Sequence, residues 1–118
     1  MTEIAVTGAA GRMGREVLAA AADRDDITVA FAVNRSSVAE PISGVAVDSS
    51  DDFAALLADY EPAVVVDFTA PDSTIDYANA CAEAHVAFVT GTTGFEPSQP
   101  AALHAASEST AVRKASNF

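Results

Sequence analysis

Val6-Thr7-Gly8-Ala9-Ala10-Gly11-Arg12-Met13-Gly14 decides how the rest of the chain is read. The apolar run Ile4-Ala5-Val6 leads into it, and Arg15-Glu16-Val17-Leu18-Ala19-Ala20-Ala21-Ala22, rich in strong helix formers, leads out. Strand, glycine turn and helix in that order are the setting in which a glycine fingerprint cradles a dinucleotide. Gly8 suits a sharp turn at the strand end, Gly11 the approach of a pyrophosphate to bare backbone, and Gly14 close packing of the helix on the sheet. The free N–H groups and positive dipole end of the helix then face the phosphates. The spacing is G-x-x-G-x-x-G, and by itself it also serves a plain packing turn. Arg12 argues for a ligand, because a cation in the first helical turn opposes the dipole unless an anion lies there; a solvated arginine is the alternative reading. Gly8, Ala9, Ala10, Gly11, Arg12, Met13 and Gly14 are therefore candidate cofactor contacts.

Outward from this turn, apolar runs alternate with helical patterns. Residues 27–33 form a near-continuous apolar run, as expected of a strand buried on both faces of a parallel sheet. Residues 45–47 suggest a short strand. Ser50-Asp51-Asp52 offers an N-cap and acidic first turn for a helix through Ala58, which Pro62 closes. Residues 63–68 are the third main strand, and Pro71 suits the first turn of a helix reaching about His85. Residues 86–90 are the fourth strand, a helix follows over 99–107, and 111–115 would be a fifth strand. The first helix is expected to run to about Arg24. This order implies an α/β fold, a Rossmann-type doubly wound parallel sheet with right-handed crossovers.

The length of 118 residues fits one domain, a dinucleotide-binding domain over residues 1–118. No basic n-region precedes the first strand, and no apolar run approaches the ~18 residues that span a bilayer. Without a membrane segment, the expected location is the cytoplasm. Seventeen acidic residues against six basic ones give a net charge of -11 and argue against nucleic acid. With Lys114 as its only lysine and much Ala, Val, Thr and Asp, the chain reads as halophilic, with an ordinary acidic protein as the alternative. At molar salt the Debye length falls to about 3 Å, so such a charge costs little self-repulsion. Cys81 falls in a helical pattern and reads as a small buried apolar residue; His85 and His104 are too far apart in sequence to suggest a metal site.

Three further segments fall at strand ends, where ligands of open α/β sheets bind. Asn34 stands twenty residues after Gly14, where NAD-binding domains carry an acid for the adenine ribose. Here that residue is neutral and Arg35 follows, which suits the 2′-phosphate of NADPH better than the ribose of NADH. Gly91-Thr92-Thr93-Gly94-Phe95 offers glycines for close approach and hydroxyls for a carboxamide; a plain turn has the same composition. Asp67-Phe68-Thr69-Ala70-Pro71 puts an acid and an aromatic at a strand end that also starts a helix.

Together these segments resemble the dihydrodipicolinate reductase (4-hydroxy-tetrahydrodipicolinate reductase) family, NAD(P)H-dependent oxidoreductases of the diaminopimelate route to lysine. The residues carrying the resemblance are Val6 to Gly14, Asp67-Phe68-Thr69, Gly91-Thr92-Thr93-Gly94-Phe95 and Ser116-Asn117-Phe118, in the family's order. The resemblance implies cofactor contacts at Gly8 to Met13, at Arg35, at Gly91, Thr92 and Thr93, and at Ser116, Asn117 and Phe118. Ala10 stands where many members have glycine, Ser116 where alanine is common, and Asn34 where NADH-using members have glutamate. The last difference shifts the expected preference toward NADPH, with NADH open. In the family, residues like Ser116 to Phe118 lead into a second domain that binds the small-molecule substrate, carries a catalytic histidine and lysine, and builds the homo-oligomer. The chain is thus expected to be the cofactor half, truncated before the substrate-binding domain and holding no catalytic residue of its own. Two other readings stay open: the nucleotide domain of another amino-acid-pathway dehydrogenase, and a free-standing nucleotide-binding sensor module.

Overall fold

The apolar runs are the strands of one parallel sheet. A computed structural model describes residues 2–36, 38–91 and 112–114. The strands are β1 (Thr2–Thr7), β2 (Ile27–Asn34), β3 (Val47–Ser49), β4 (Val64–Asp67), β5 (Ala87–Thr90) and β6 (Val112–Lys114), in the order β3-β2-β1-β4-β5-β6. Every neighbouring pair is parallel. The sheet is the doubly wound sheet expected. The expected helix over 99–107 lies outside the described residues.

Side-chain alternation splits the core into two layers. Ile4, Val6 and Ala32 point toward α1 (Arg12–Ala22) and pack with its Leu18 and Ala21. Ala5, Phe31, Val33, Val65 and Phe88 point the other way, toward α2 (Phe53–Tyr60) and α3 (Pro71–Ala84). Edge-to-face rings knit that second layer, with Phe53 against Phe31 at 5.9 Å and against Tyr77 at 4.6 Å. Cys81 is fully buried there, as its apolar reading requires. Burial, reinforced by the nearby Asp67 charge, pushes its thiol up to about 12.

Local differences from the sequence reading have local causes. The short strand lies at Val47–Ser49 rather than 45–47, because Val45 is engaged in an antiparallel bridge with Ile42 across a Ser43-Gly44 turn. The first helix begins at Arg12 and ends at Ala22, two residues before Arg24. Ser50–Asp52 is a single 3-10 turn capped by Ser49, whose hydroxyl accepts from the Asp51 N–H at 3.2 Å, and α2 follows it to Tyr60. In β2 only Phe31, Ala32 and Val33 are fully buried, while Thr28 is exposed.

The end of α2 carries a testable strain. Glu61, exposed, closes the helix with φ 45°, in the left-handed region where a Cβ costs about 1–2 kcal/mol. Its carboxylate also sits at the negative end of the dipole. Glu61→Gly is expected to stabilise the fold by about 0.5–1 kcal/mol after the entropy of the more flexible unfolded chain is counted. Glu61→Ala, which removes the charge and keeps the Cβ, should recover little in the same urea titration.

Candidate functional site

Strand order reverses at β1, with β2 and β3 on one side and β4 to β6 on the other. The crevice beyond the carboxyl ends of the strands at such a reversal is where open α/β sheets hold ligands. The glycine turn sits there. Gly8 has φ 68°, and a Cβ on it would run into the Phe68 carbonyl, with Phe68 C at 2.9 Å and Thr69 Cγ2 at 3.1 Å. A Cβ on Gly14 would run into the Gly8 carbonyl oxygen, with Ala9 Cα at 2.8 Å, so α1 rests directly on the turn. Gly11 differs: it is exposed, and an added Cβ would meet only the Gly8 oxygen, tightly, at 3.3 Å. Its missing side chain leaves space at the crevice and spares that one contact.

Hydrogen bonds fix this turn. The N–H of buried Ala9 donates to the Val33 carbonyl at 3.2 Å, and the Gly11 N–H to the Gly8 carbonyl at 3.1 Å. Arg15 folds back, its Nε donating to the Ala10 carbonyl at 2.8 Å. The start of α1 has no side-chain cap and no acidic residue in its first turn, which instead bears exposed Arg12 and, with half-buried Met13, faces outward. Uncapped N–H groups with a cation beside them make a receptor for an anion.

Asn34 has a role that the sequence reading did not anticipate. Its Oδ1 accepts from the Ala10 N–H at 3.3 Å, and its Nδ2 donates to the Ser36 carbonyl at 3.1 Å. The amide therefore ties the end of β2 to the glycine turn. Exposed Arg35 and Ser36 beside it remain turned to the crevice. A groove of about 190 Å³ runs between the Gly8 to Gly11 turn, residues 34–36 and Phe68-Thr69-Ala70. It adjoins a cleft of about 440 Å³ bounded by Ala10, Arg15 and the Val38 to Ile42 loop. Gly91 follows β5, and its N–H donates to the Asp67 carbonyl at 2.9 Å. Thr92, Thr93, Ser116, Asn117 and Phe118 lie outside the described residues.

The sequence reading also undervalued Asp67. This residue is fully buried, and four threonine hydroxyls donate to it. Thr7 and Thr69 reach Oδ1 at 2.6 and 2.7 Å, and Thr74 and Thr90 reach Oδ2 at 2.6 and 2.7 Å. The sequence signal was an ionisable residue at an inward strand position, two after Val65, with a threonine ending each neighbouring strand. Among the described residues no group of His, Cys, Asp and Glu is placed to hold a metal.

This arrangement fits a dinucleotide. The bare Gly11 backbone and the uncapped start of α1 suit a pyrophosphate, and Arg35 with Ser36 suits a further phosphate on the β2 side.

The family model described as dihydrodipicolinate reductase, N-terminus, matches residues 2–118. The 4-hydroxy-tetrahydrodipicolinate reductase of Natronomonas pharaonis is 43% identical over 115 residues, covering 98% of this chain and 44% of that protein. A dipicolinate-bound dihydrodipicolinate reductase from Paenisporosarcina sp. TG-14 superposes with a TM-score of 0.80 at 22% identity, over 100% of this chain and 48% of the other. A Rex-family repressor in complex with β-NAD+ and operator DNA shares the fold, with a TM-score of 0.70 at 11% identity over 98% of this chain and 51% of the other. The chain spans about half the length of the curated relatives it matches.

Proposed function

Because this chain belongs to the dihydrodipicolinate reductase family, matching its N-terminal part, we propose that it is the NADPH-binding domain of a 4-hydroxy-tetrahydrodipicolinate reductase in lysine biosynthesis. The observation that carries the proposal is the groove joining the uncapped, arginine-bearing start of α1 to Arg35 at the end of β2. Gly11, Arg12 and Met13 hold the pyrophosphate against the first-turn N–H groups, and Gly8 and Gly14 let strand, turn and helix close up beneath it. Asn34 fixes the spacing between this turn and Arg35, which takes the 2′-phosphate. Its neutral amide also spares that phosphate the repulsion of a carboxylate. Gly91, Thr92 and Thr93, with Ser116, Asn117 and Phe118, bound the nicotinamide side in this reading. When bound, NADPH supplies the hydride that reduces the substrate.

The substrate site and the proton donor belong, in this reading, to the half of the relatives' length that the chain does not cover. The test is an assay of the full natural protein with freshly generated 4-hydroxy-tetrahydrodipicolinate. Oxidation of NADPH that depends on this substrate supports the proposal, and oxidation equal to the substrate-free blank refutes it. The charge of -11 weighs against the nucleic-acid partner of the Rex-family repressor.

The same charge supports a halophilic setting. Self-repulsion should destabilise the fold at low ionic strength and fade as salt screens it. The melting temperature is expected to rise between ~0.1 M and ~1 M KCl, where the Debye length falls from about 10 Å to about 3 Å. Sulfate at matched ionic strength separates screening from salting-out of apolar surface. A flat melting temperature in chloride contradicts this setting.

A further inference from the structure

Asp67 is a charge where an apolar residue would pack. It follows Val65 on the inward face of β4 and is fully buried. Taking a carboxylate out of water costs several kcal/mol before its hydrogen bonds are counted, and a hydrophobic residue of similar volume is often as stable or more so. Fold stability alone therefore does not explain it. Its donors do suggest a purpose. Thr7 ends β1, Thr69 lies in the loop after β4, Thr74 is in the first turn of α3, and Thr90 ends β5. The Gly91 N–H bonds the Asp67 main-chain carbonyl, so the chain leaving β5 is held at the same point.

We infer that Asp67 is a positioning residue, whose carboxylate locks the ends of β1, β4 and β5 and the start of α3 into one frame for the nicotinamide half of the cofactor. The inference rests on the dinucleotide reading above. With a 2′-phosphate at Arg35 and a pyrophosphate at the start of α1, the rest of the ligand extends over the ends of β4 and β5. Phe68 and Thr69 wall the groove on that side. The Thr69 hydroxyl is held inward at 2.7 Å from Asp67, with Thr74 Oγ1 3.2 Å away, while its Cγ2 methyl lies beside Gly8. The buried carboxylate thus fixes which face of Thr69 the wall presents, without touching the ligand itself.

Two ligands separate this role from a merely structural one. NADPH spans the whole groove, whereas adenosine 2′,5′-bisphosphate reaches Arg35 and, through its 5′-phosphate, the start of α1, and lacks the nicotinamide half. In the full natural protein, Asp67→Asn keeps the shape and turns one acceptor into a donor facing hydroxyl donors. NADPH affinity is expected to fall about tenfold, the scale of one charge-assisted hydrogen bond. Adenosine 2′,5′-bisphosphate should bind within about twofold of wild type. Thr74→Val, isosteric, buried and away from the groove lining, should act in the same direction and serves if Asp67→Asn does not fold. Equal losses for both ligands, unchanged NADPH affinity, or failure of both variants to fold overturns the inference. Wild-type protein that binds neither ligand overturns the dinucleotide reading, and this inference falls with it.

Discussion

Gly8→Ala is expected to destabilise the fold by about 2–5 kcal/mol, measured by urea unfolding. Two costs add. The left-handed backbone, φ 68°, costs any residue with a Cβ about 1–2 kcal/mol. Overpacking then costs about 1–3 kcal/mol more, because the new methyl meets the Phe68 carbonyl group and no flexible side-chain end stands in its place. Gly44→Ala isolates the first cost: Gly44 has φ 80° with open space around it, so about 1–2 kcal/mol is expected. Gly11→Ala, with one tight contact at the Gly8 oxygen and no positive φ, should cost less stability than Gly8→Ala while weakening NADPH, since its Cβ would extend into space the ligand needs. If Gly8→Ala and Gly44→Ala cost the same, the close approach of turn and β4 loop contributes nothing.

Arg35→Ala is expected to reduce NADPH affinity by about 1.5–3 kcal/mol, the scale of hydrogen bonds to charged groups. That is roughly ten- to 150-fold. NADH affinity should stay within about twofold, because the ribose hydroxyl offers Arg35 no charge to pair with. Arg35→Lys should restore only part of the loss, as a point charge lacks the planar two-pronged geometry of guanidinium. All titrations belong at one KCl concentration, since molar salt weakens exposed ion pairs. Equal losses for NADPH and NADH would move the 2′-phosphate away from Arg35.

The glycine turn was legible in the sequence because backbone geometry demands it: only glycine fits where Gly8 and Gly14 meet main chain. The strands were legible because a parallel sheet buried by helices on both faces writes itself as apolar runs. The short strand was misplaced by two residues because Val45 and Val47 have the same composition signal, and a bridge to Ile42 decides between them. Asn34 stood out by position, yet its bonds to Ala10 and Ser36 depend on how the β2 end meets the turn, which no local pattern encodes. Asp67 was hardest to read. Its partners Thr7 and Thr90 are 60 and 23 residues away, and only strand pairing brings them to one carboxylate.

The groove between the glycine turn and Arg35 is the centre of this account, and a crystal structure of the full natural protein with NADPH tests it most directly. The predicted result is a pyrophosphate against the bare Gly11 backbone and on the N–H groups of Arg12 and Met13, a 2′-phosphate against Arg35 and Ser36, and a nicotinamide beyond the ends of β4 and β5. NADPH bound elsewhere on the chain, or with its 2′-phosphate turned away from Arg35, would contradict it.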